Sequence, residues 1–397
     1  MPKTAEILLP ERHPTRDFFI ADIFDALPIK NDRHTMEHPF FSLSTQKDIR
    51  TVEYNREGVS IKLSPSAEYG LPTMMDKDIL LYCGSHIVEQ FNKRERAIAQ
   101  EAEEQAKHER LRVQGSYSNE ELEDYLERYK QIYMDEQRKR RPIPKTIRFS
   151  IHDLMVTTNR ETNGKSYRLI KNAFERLAGC LITTNVETNN TKITKGFHLI
   201  ESFEAIEKSH DNKRMVRAEA TISDWFYESL IAQEVLTINR DYFRLRKTLE
   251  RRLYELARKH CGKQDKWQIK LANLYEKSGS KSPLKTFRFQ IHKIIKNNHD
   301  TRHFPDYDIH LDANDLVTFT NREFDAQLDM LKDATPPLLK PETKEKAREI
   351  VREAGTGWDY DALEEQFSYA VSQGKFSPRN NDGAFIGFVQ KKVREWA

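Results

Sequence analysis

Asn163-Gly164-Lys165-Ser166 carries the lysine and hydroxyl that close a phosphate-binding loop. The upstream glycine of such a loop would stand at position 159, which is Asn159, so nucleotide hydrolysis is set aside. The segment keeps a lesser capacity: the free amides of a helix start, with Lys165 and Ser166 beside them, can meet a phosphate of DNA. Nicking a DNA strand would need a tyrosine nucleophile beside a metal held by two histidines one residue apart. His292, His299, His303 and His310 form the nearest cluster, and none has that spacing. Neither G-x-S-x-G nor H-E-x-x-H occurs. Cys83, Cys180 and Cys261 are far apart and odd in number, which predicts buried free thiols and no disulfide frame or zinc ribbon. No catalysis, metal or cofactor is expected. The residues point to binding.

The binding chemistry gathers between Lys281 and Arg302. At about 100° per residue, Leu284, Phe287, Ile291, Ile294 and Ile295 fall on one side of a helix, the side a core would bury. Lys285, Thr286, Phe289, Gln290, Lys293 and Lys296 fall opposite. That outward row has what a major-groove reader needs: cations for phosphates, an amide that pairs with adenine, and an apolar group for a thymine methyl. Lys281 and Ser282 before it, Arg302 after it, and Arg251 and Arg252 on the preceding helix complete the expected DNA-contacting set. Net charge over the 397 residues is only +3, yet Arg240 to Asp300 holds 17 Lys or Arg against 6 Asp or Glu. Local basicity is what a polyanion meets.

The elements that must hold this row are legible on either side. RDYFRLRKTLERRLYELARKHCG reads as one basic amphipathic helix, KWQIKLANLYEKSG as a second short one, and Ser282 as the N-cap of the third. DYDIHLDANDLVTFTNR follows with two strand-like runs around Asp312 to Asp315. Helix, turn, helix and hairpin make a winged helix. The same order occurs earlier in weaker form. IRFSIHDLMVTTN reads as a strand, then a helix with Ser150 as cap. GKSYRLIKNAFERLAG is the next helix, with Leu169, Ile170, Ala173, Phe174 and Leu177 on one face. Two strands around Glu187 to Thr191 come after. Here the expected DNA contacts are Lys165, Ser166, Arg168, Lys171 and Asn172, with Lys192 and Lys195 on the hairpin. Fewer cations and Glu175 on that face suit light DNA contact or self-association.

The rest of the chain frames these two units. Residues 1–31 read as an extension whose stripe of Phe18, Phe19, Ile23, Phe24 and Leu27 either docks on the body, the more frequent outcome, or binds a partner. Phe40 to Leu63 reads as strands turning at Arg56-Glu57-Gly58, and a helix runs from Met75 to about Lys93. From Arg94 to Arg141 the composition turns to charge, with a Ser118/Glu121 capping box and a basic end at Arg138 to Arg141, as in an inserted helical arm. Met215 to Ile238 reads as strand, helix capped by Ser223, and strand. After Pro336 and Pro337, a small helical module is carried by Trp358, Leu363, Phe367 and Val371, then by Phe385, Phe388, Val389, Val393 and Trp396. The expected fold is helix-rich α+β: a first winged helix at 32–210 with the insertion 94–141, a second at 211–335 as main DNA reader, and a C-terminal helical module at 341–397. No apolar run reaches bilayer length and the N-terminus lacks a signal-peptide core, which predicts a cytoplasmic protein with no membrane partner.

PSAEYGLPTMMDKDILLYC, IHDLMVTTNRETNGKSYRLIKNAFERLAGCLITT, DYFRLRKTLERRLYELARKHCG and KTFRFQIHKII carry a resemblance. Over Phe40 to Asn321 the chain resembles plasmid replication initiators of the replication initiator protein A family, built from two tandem winged helices. The resemblance implies binding to repeated sites in duplex origin DNA, with the first unit helping in DNA contact or homodimer formation. It also implies recruitment of a host initiator, helicase or primase, and repression of the protein's own promoter. Competing readings are a winged-helix transcriptional repressor without an initiator role, a metal-dependent origin-nicking enzyme, and a partitioning scaffold dominated by the arm.

Overall fold

The computed structural model describes residues 27–56, 58–113, 117–185, 195–207, 215–324, 339–354, 360, 363–364, 366–367, 371 and 380–394. In chain order these form β1 (Lys30–Asp32), α1 (Arg33–Glu37), β2 (Val52–Arg56), β3 (Val59–Ser64), α2 (Lys77–Arg112), α3 (Asn119–Arg140), β4 (Thr146–Ser150), α4 (Ile151–Thr157) and α5 (Gly164–Gly179). Next come β5 (Leu181–Thr184), β6 (Lys195–Phe197), β7 (Ile200–Glu207), β8 (Met215–Ile222), α6 (Asp224–Ile231) and β9 (Val235–Thr237). A 3-10 turn at Arg240–Arg244 leads to α7 (Thr248–His260), β10 (Lys266–Lys270), α8 (Leu271–Ser278) and α9 (Leu284–Thr301), then β11 (Tyr307–Leu311), β12 (Leu316–Asn321), α10 (Pro341–Ala354) and α11 (Asn381–Arg394). The chain is a helix-rich α+β protein. It divides into two units, Met1–Lys259 with Ala272–Pro305, and His260–Leu271 with Asp306–Ala397.

In the first unit, besides the short antiparallel pair β1-β9, two larger antiparallel sheets pack on a helical core. One has the order β2-β3-β5-β6 and the other β4-β8-β7. Alternation sets their faces: Ile61 and Leu63 of β3 and Ile147 and Phe149 of β4 are buried, while Lys62 and Arg148 between them are exposed. The inward residues meet Ile79, Cys83 and Ile87 of α2, Leu154 of α4, and Ile170, Phe174 and Leu177 of α5 in one apolar cluster. The expected sequence of helix, helix and hairpin is present in α4, α5, β5 and β6. Strand β4 does not join that hairpin; it pairs with β8, Ile147 opposite Ala220. The hairpin is instead completed by β3, as the early turn at Gly58 foreshadows.

Helix α2 runs 36 residues without a break, out of the core and into the arm. Its distal half buries Ile98, Ala102 and Ala106, one turn apart, and α3 returns alongside with Leu126 buried. Ser118 and Glu121 form the expected capping box at the return. Cross-links lock the antiparallel pair: Lys130 to Glu103 at 3.0 Å, Tyr125 Oη donating to Glu109 at 2.7 Å, and Arg141 to Glu101 at 2.8 Å. The basic run at the end of α3 is thereby engaged, with Arg138 on Glu95 and Asp135 and Arg140 on Glu136.

The segment expected as one helix from Arg240 is instead a 3-10 turn, an extended Leu245 and then α7. Asn239 caps the start of the 3-10 turn by accepting the Asp241 amide at 2.9 Å, and the extended backbone at Leu245 separates that turn from α7. From Thr248 to Ala257 every residue of α7 is buried, charged ones included. Arg251 is fully buried against Asp78 of α2 at 2.5 Å, and Arg160 holds the other Asp78 oxygen at 2.7 Å. The Arg251 guanidinium also donates to the Leu245 carbonyl at 2.8 Å and lies 5.0 Å from the Tyr242 ring centroid. Arg252 donates to the carbonyls of Met36, Glu37 and Lys277, each at 2.7 Å. Glu255 takes Lys77 at 2.9 Å and the Tyr242 hydroxyl at 2.9 Å. Burial pulls the Lys77 pKa down, and the facing Glu255 carboxylate opposes that pull.

In the second unit β10, β12 and β11 form a three-stranded sheet in that order. KWQIK, expected as the start of a helix, is a strand: Trp267 and Ile269 sit opposite Phe319 and Val317, with Lys266, Gln268 and Lys270 between them. Trp267 stacks on Phe319 at 5.3 Å and Tyr307 donates to the Gly262 carbonyl at 2.9 Å. The order α7, β10, α8, α9, β11, β12 along the chain is that of a winged helix. The C-terminal helices share a core of Ala347, Leu363, Phe367, Phe385, Val389 and Val393. Trp358, Trp396 and the N-terminal apolar stripe as far as Phe24 lie outside the described residues. Among the described residues no helix is long and apolar enough to cross a membrane.

Removing Asp78 leaves Arg251 charged in a dry core. Asp78→Ala is expected to cost about 3–5 kcal/mol, read as a lower urea midpoint at unchanged slope.

Candidate nucleic-acid interface

Helix α9 is set by a turn that only glycine fits. Gly279 has φ +70°, and a Cβ there would stand 2.5 Å from the Pro39 Cβ. Ser282, expected as the N-cap, bonds instead to Ser280, Oγ to Oγ at 2.9 Å, and Pro283 occupies the cap position with no side-chain bond. Phe287, Ile291 and Ile294 are buried, with Phe287 edge-on to Tyr275 of α8 at 5.3 Å. Leu284 is 40% exposed, a departure from the expected inner face: it is the first helical residue, one turn before Phe287 reaches Tyr275. At the far end Arg302 closes the helix in the left-handed region at φ 50°, and Asn298 Oδ1 accepts the Phe304 amide at 2.9 Å.

The outer row stands as the spacing predicts. Lys285, Thr286, Gln290, Lys293 and Lys296 are exposed, and Phe289 is 68% exposed despite its aromatic ring. Among the described residues none pairs Lys285, Lys293 or Lys296 with a carboxylate. Unpaired lysines flanking an exposed amide and ring leave each group available to a ligand. Arg302 is exposed as well, while Lys281 reaches Asp48 at 3.3 Å. Asp48 is held well below the usual carboxylate range, first by the Arg50 guanidinium and then by Lys281.

Arg251 and Arg252 are corrected by the structure. At 0% and 1% exposure they hold α7 in place and offer nothing to DNA. On α5, Lys165, Arg168, Lys171 and Asn172 are exposed and Ser166 is half-buried. Asn163 Oδ1 takes the Ser166 amide at 3.0 Å, so one donor of the expected phosphate-binding helix start is already used. Leu169, expected inside, is 45% exposed. Lys195 is turned to Glu228 at 3.4 Å, and Lys192 lies outside the described residues. Burial of Cys83, Cys180 and Cys261 as free thiols agrees with the expectation, and desolvation pushes Cys83 and Cys180 up to about 12. Among the described residues no group of three or more His, Cys, Asp or Glu could hold a metal.

Periodicity passed over one exposed cationic segment. Phe40 to Leu63 was expected to be strands throughout, but Ser44 to Arg50 is an irregular loop. Lys47 and Arg50 from that loop line a groove of about 580 Å³ together with Thr248, Lys281, Ser282 and Gln290. The signal for a loop was the polar run STQKD, which has no apolar alternation.

Residues 30–140 and 130–309 match the family described as Replication initiator protein A. A protein of Wigglesworthia glossinidia brevipalpis named "Putative replication protein" is 30% identical over 319 residues, covering 80% of this chain and 98% of that one. Solved structures of domains 2 and 3 of RctB are 10% identical and cover 73% of this chain and 97–98% of theirs, with TM-scores of 0.44 and 0.39.

Behind α9, Glu250 accepts from Lys247 at 2.9 Å and faces His303 at 3.2 Å. Burial works to raise the Glu250 pKa, but the hydrogen bonds of His303 and Lys247 prevail and hold it below its ordinary 4.5. A depressed carboxyl stabilises fully above its unfolded value and stops doing so as pH falls through the folded one. Glu250→Gln is therefore expected to cost about 1–3 kcal/mol at pH 7. Urea midpoints of the variant and parent should converge as pH is taken down through 4.5 and below the folded value.

Proposed function

Since the chain belongs to the replication initiator protein A family, we propose that this replication initiator acts on plasmid DNA by inserting α9 into the major groove of repeated origin sites. The observation that carries the reading is the outer row of α9, exposed from Lys285 to Lys296 and free of carboxylate partners among the described residues. Lys285, Lys293 and Lys296 take phosphates and release their counterions, which supplies most of the affinity and a steep salt dependence. Gln290, Thr286 and Phe289 meet base edges, each good contact being worth about 1–3 kcal/mol of discrimination. Helix α5, with Lys165, Arg168, Lys171 and Asn172, touches the duplex lightly or serves a homodimer.

The protein works by binding and not by catalysis. Several copies on adjacent repeats strain the duplex, and a host initiator, helicase or primase completes the opening. The same contacts at its own promoter repress its synthesis.

Two substitutions separate affinity from reading. Lys285→Ala is expected to weaken binding to all duplexes and lower the salt slope by about 1, whereas Gln290→Ala costs about 1–3 kcal/mol at one base pair and leaves the slope alone. Fluorescence anisotropy against salt and against single-base variants measures both; equal effects of the two changes contradict the assignment. Footprints of the purified protein beside its own gene should show regularly spaced repeats, and a single isolated operator would instead favour a repressor.

A further inference from the structure

We propose that the Ser44–Arg50 loop is a second contact for the duplex read by α9, with Lys47 and Arg50 on backbone phosphates next to the bases that Gln290 reaches. The inference rests on the proposal that α9 enters DNA. Over 200 residues separate the loop from that helix in sequence, yet both belong to one unit. The loop is moored on two sides. Leu71 donates to the Asp48 carbonyl at 2.8 Å, and the Thr248 hydroxyl of α7 donates to the Leu43 carbonyl at 2.5 Å. A third link, Lys281 to Asp48, ties the loop to the turn that precedes α9.

What this loop presents is cationic and in part preset. The Arg50 side chain is 77% exposed, and Asp48 engages its Nε at 2.9 Å and Nη2 at 3.0 Å, leaving Nη1 uncommitted. Holding the guanidinium beforehand reduces the side-chain entropy lost when it meets a phosphate. Lys47 is exposed and carries no ion pair among the described residues. With Lys281, the groove shared with Gln290 has three cations against the single carboxylate of Asp48. Ile49, 55% exposed beside them, is open to the sugar edge of a strand.

The hairpin after α9 is chemically unsuited to the same task. Its turn holds Asp312 and Asp315, and the Asp312 carboxylate accepts the Asn314 and Leu316 amides at 2.9 and 2.8 Å. An acidic turn repels a phosphate strand. Ser44 to Arg50 supplies the charge that turn lacks.

The test uses the full chain and the duplex found by footprinting beside its gene. Lys47→Ala should lower the slope of log K against log salt by about 0.9, and Lys47→Ala with Arg50→Ala by about 1.8. Preference at the base pair read by Gln290 should stay as in the parent. Phosphate-ethylation interference should disappear at positions flanking that base pair and persist elsewhere. Because Arg50 also steadies Asp48, Lys47→Ala alone decides the matter should the double variant show a lowered urea midpoint. A parent-like slope in Lys47→Ala while Lys285→Ala lowers it overturns the loop contact and leaves the α9 reading standing. Parent-like slopes in both overturn the α9 reading, and the loop contact with it.

Discussion

The ion pair between Arg251 and Asp78 is what the first unit is assembled around. One partner comes from α7, which is bonded to the last turn of α8 through Arg252 and to His303 just past α9 through Glu250, and the other from the start of α2, whose apolar face packs with α4 and α5. Taking both charges out of water costs several kcal/mol per ion, and their attraction recovers this only when the remaining hydrogen-bonding positions are filled. Here Arg160, the Leu245 carbonyl and the Tyr242 ring fill most of them. Apolar packing would tolerate a shift of α7 along α2, but a buried charge pair does not. The pair therefore fixes where α7 sits along α2.

Basic residues in this chain meet three fates, and a net charge of +3 conceals all of them. Arg251 and Arg252 are interior fasteners. Arg138, Arg140 and Arg141 are consumed by carboxylates of the arm, where screening makes each pair worth little alone. Among the described residues, Lys285, Lys293 and Lys296 are cations that remain without a carboxylate partner at the surface. A polyanion senses this last group, so the charge that matters is a matter of pairing as much as of composition.

How much could be read beforehand follows the same division. The inner and outer faces of α9 were legible because buried apolar residues recur at helical spacing, and the hairpin after it because its strands alternate. The cap at Ser223 and the capping box at Ser118 were legible for their local chemistry. Arg251 and Arg252 were not, because a buried arginine and a solvated one look the same in a one-dimensional pattern. Only partners distant in sequence, Asp78 and the carbonyls of Met36 and Glu37, distinguish them. Strand β10 was overlooked because its alternating KWQIK runs straight into LANLY, which has helical spacing. The Ser44–Arg50 loop was misread as strand because flanking apolar residues on either side suggested continuity.

The unbroken course of α2 sets a rule for the arm. Arg94 Nη1 meets the Arg141 carbonyl at 3.0 Å where the arm leaves the body, so its two ends are side by side. The eighteen residues of helix beyond Arg94, ending at Arg112, project about 27 Å. Because they continue a helix rooted in the core, one added residue would swing everything beyond it by about 100°. Ile98, Ala102 and Ala106 would then lose their seam with α3. Such an arm can grow or shrink only in whole helical turns matched on both strands, which makes it a ruler with fixed gradations.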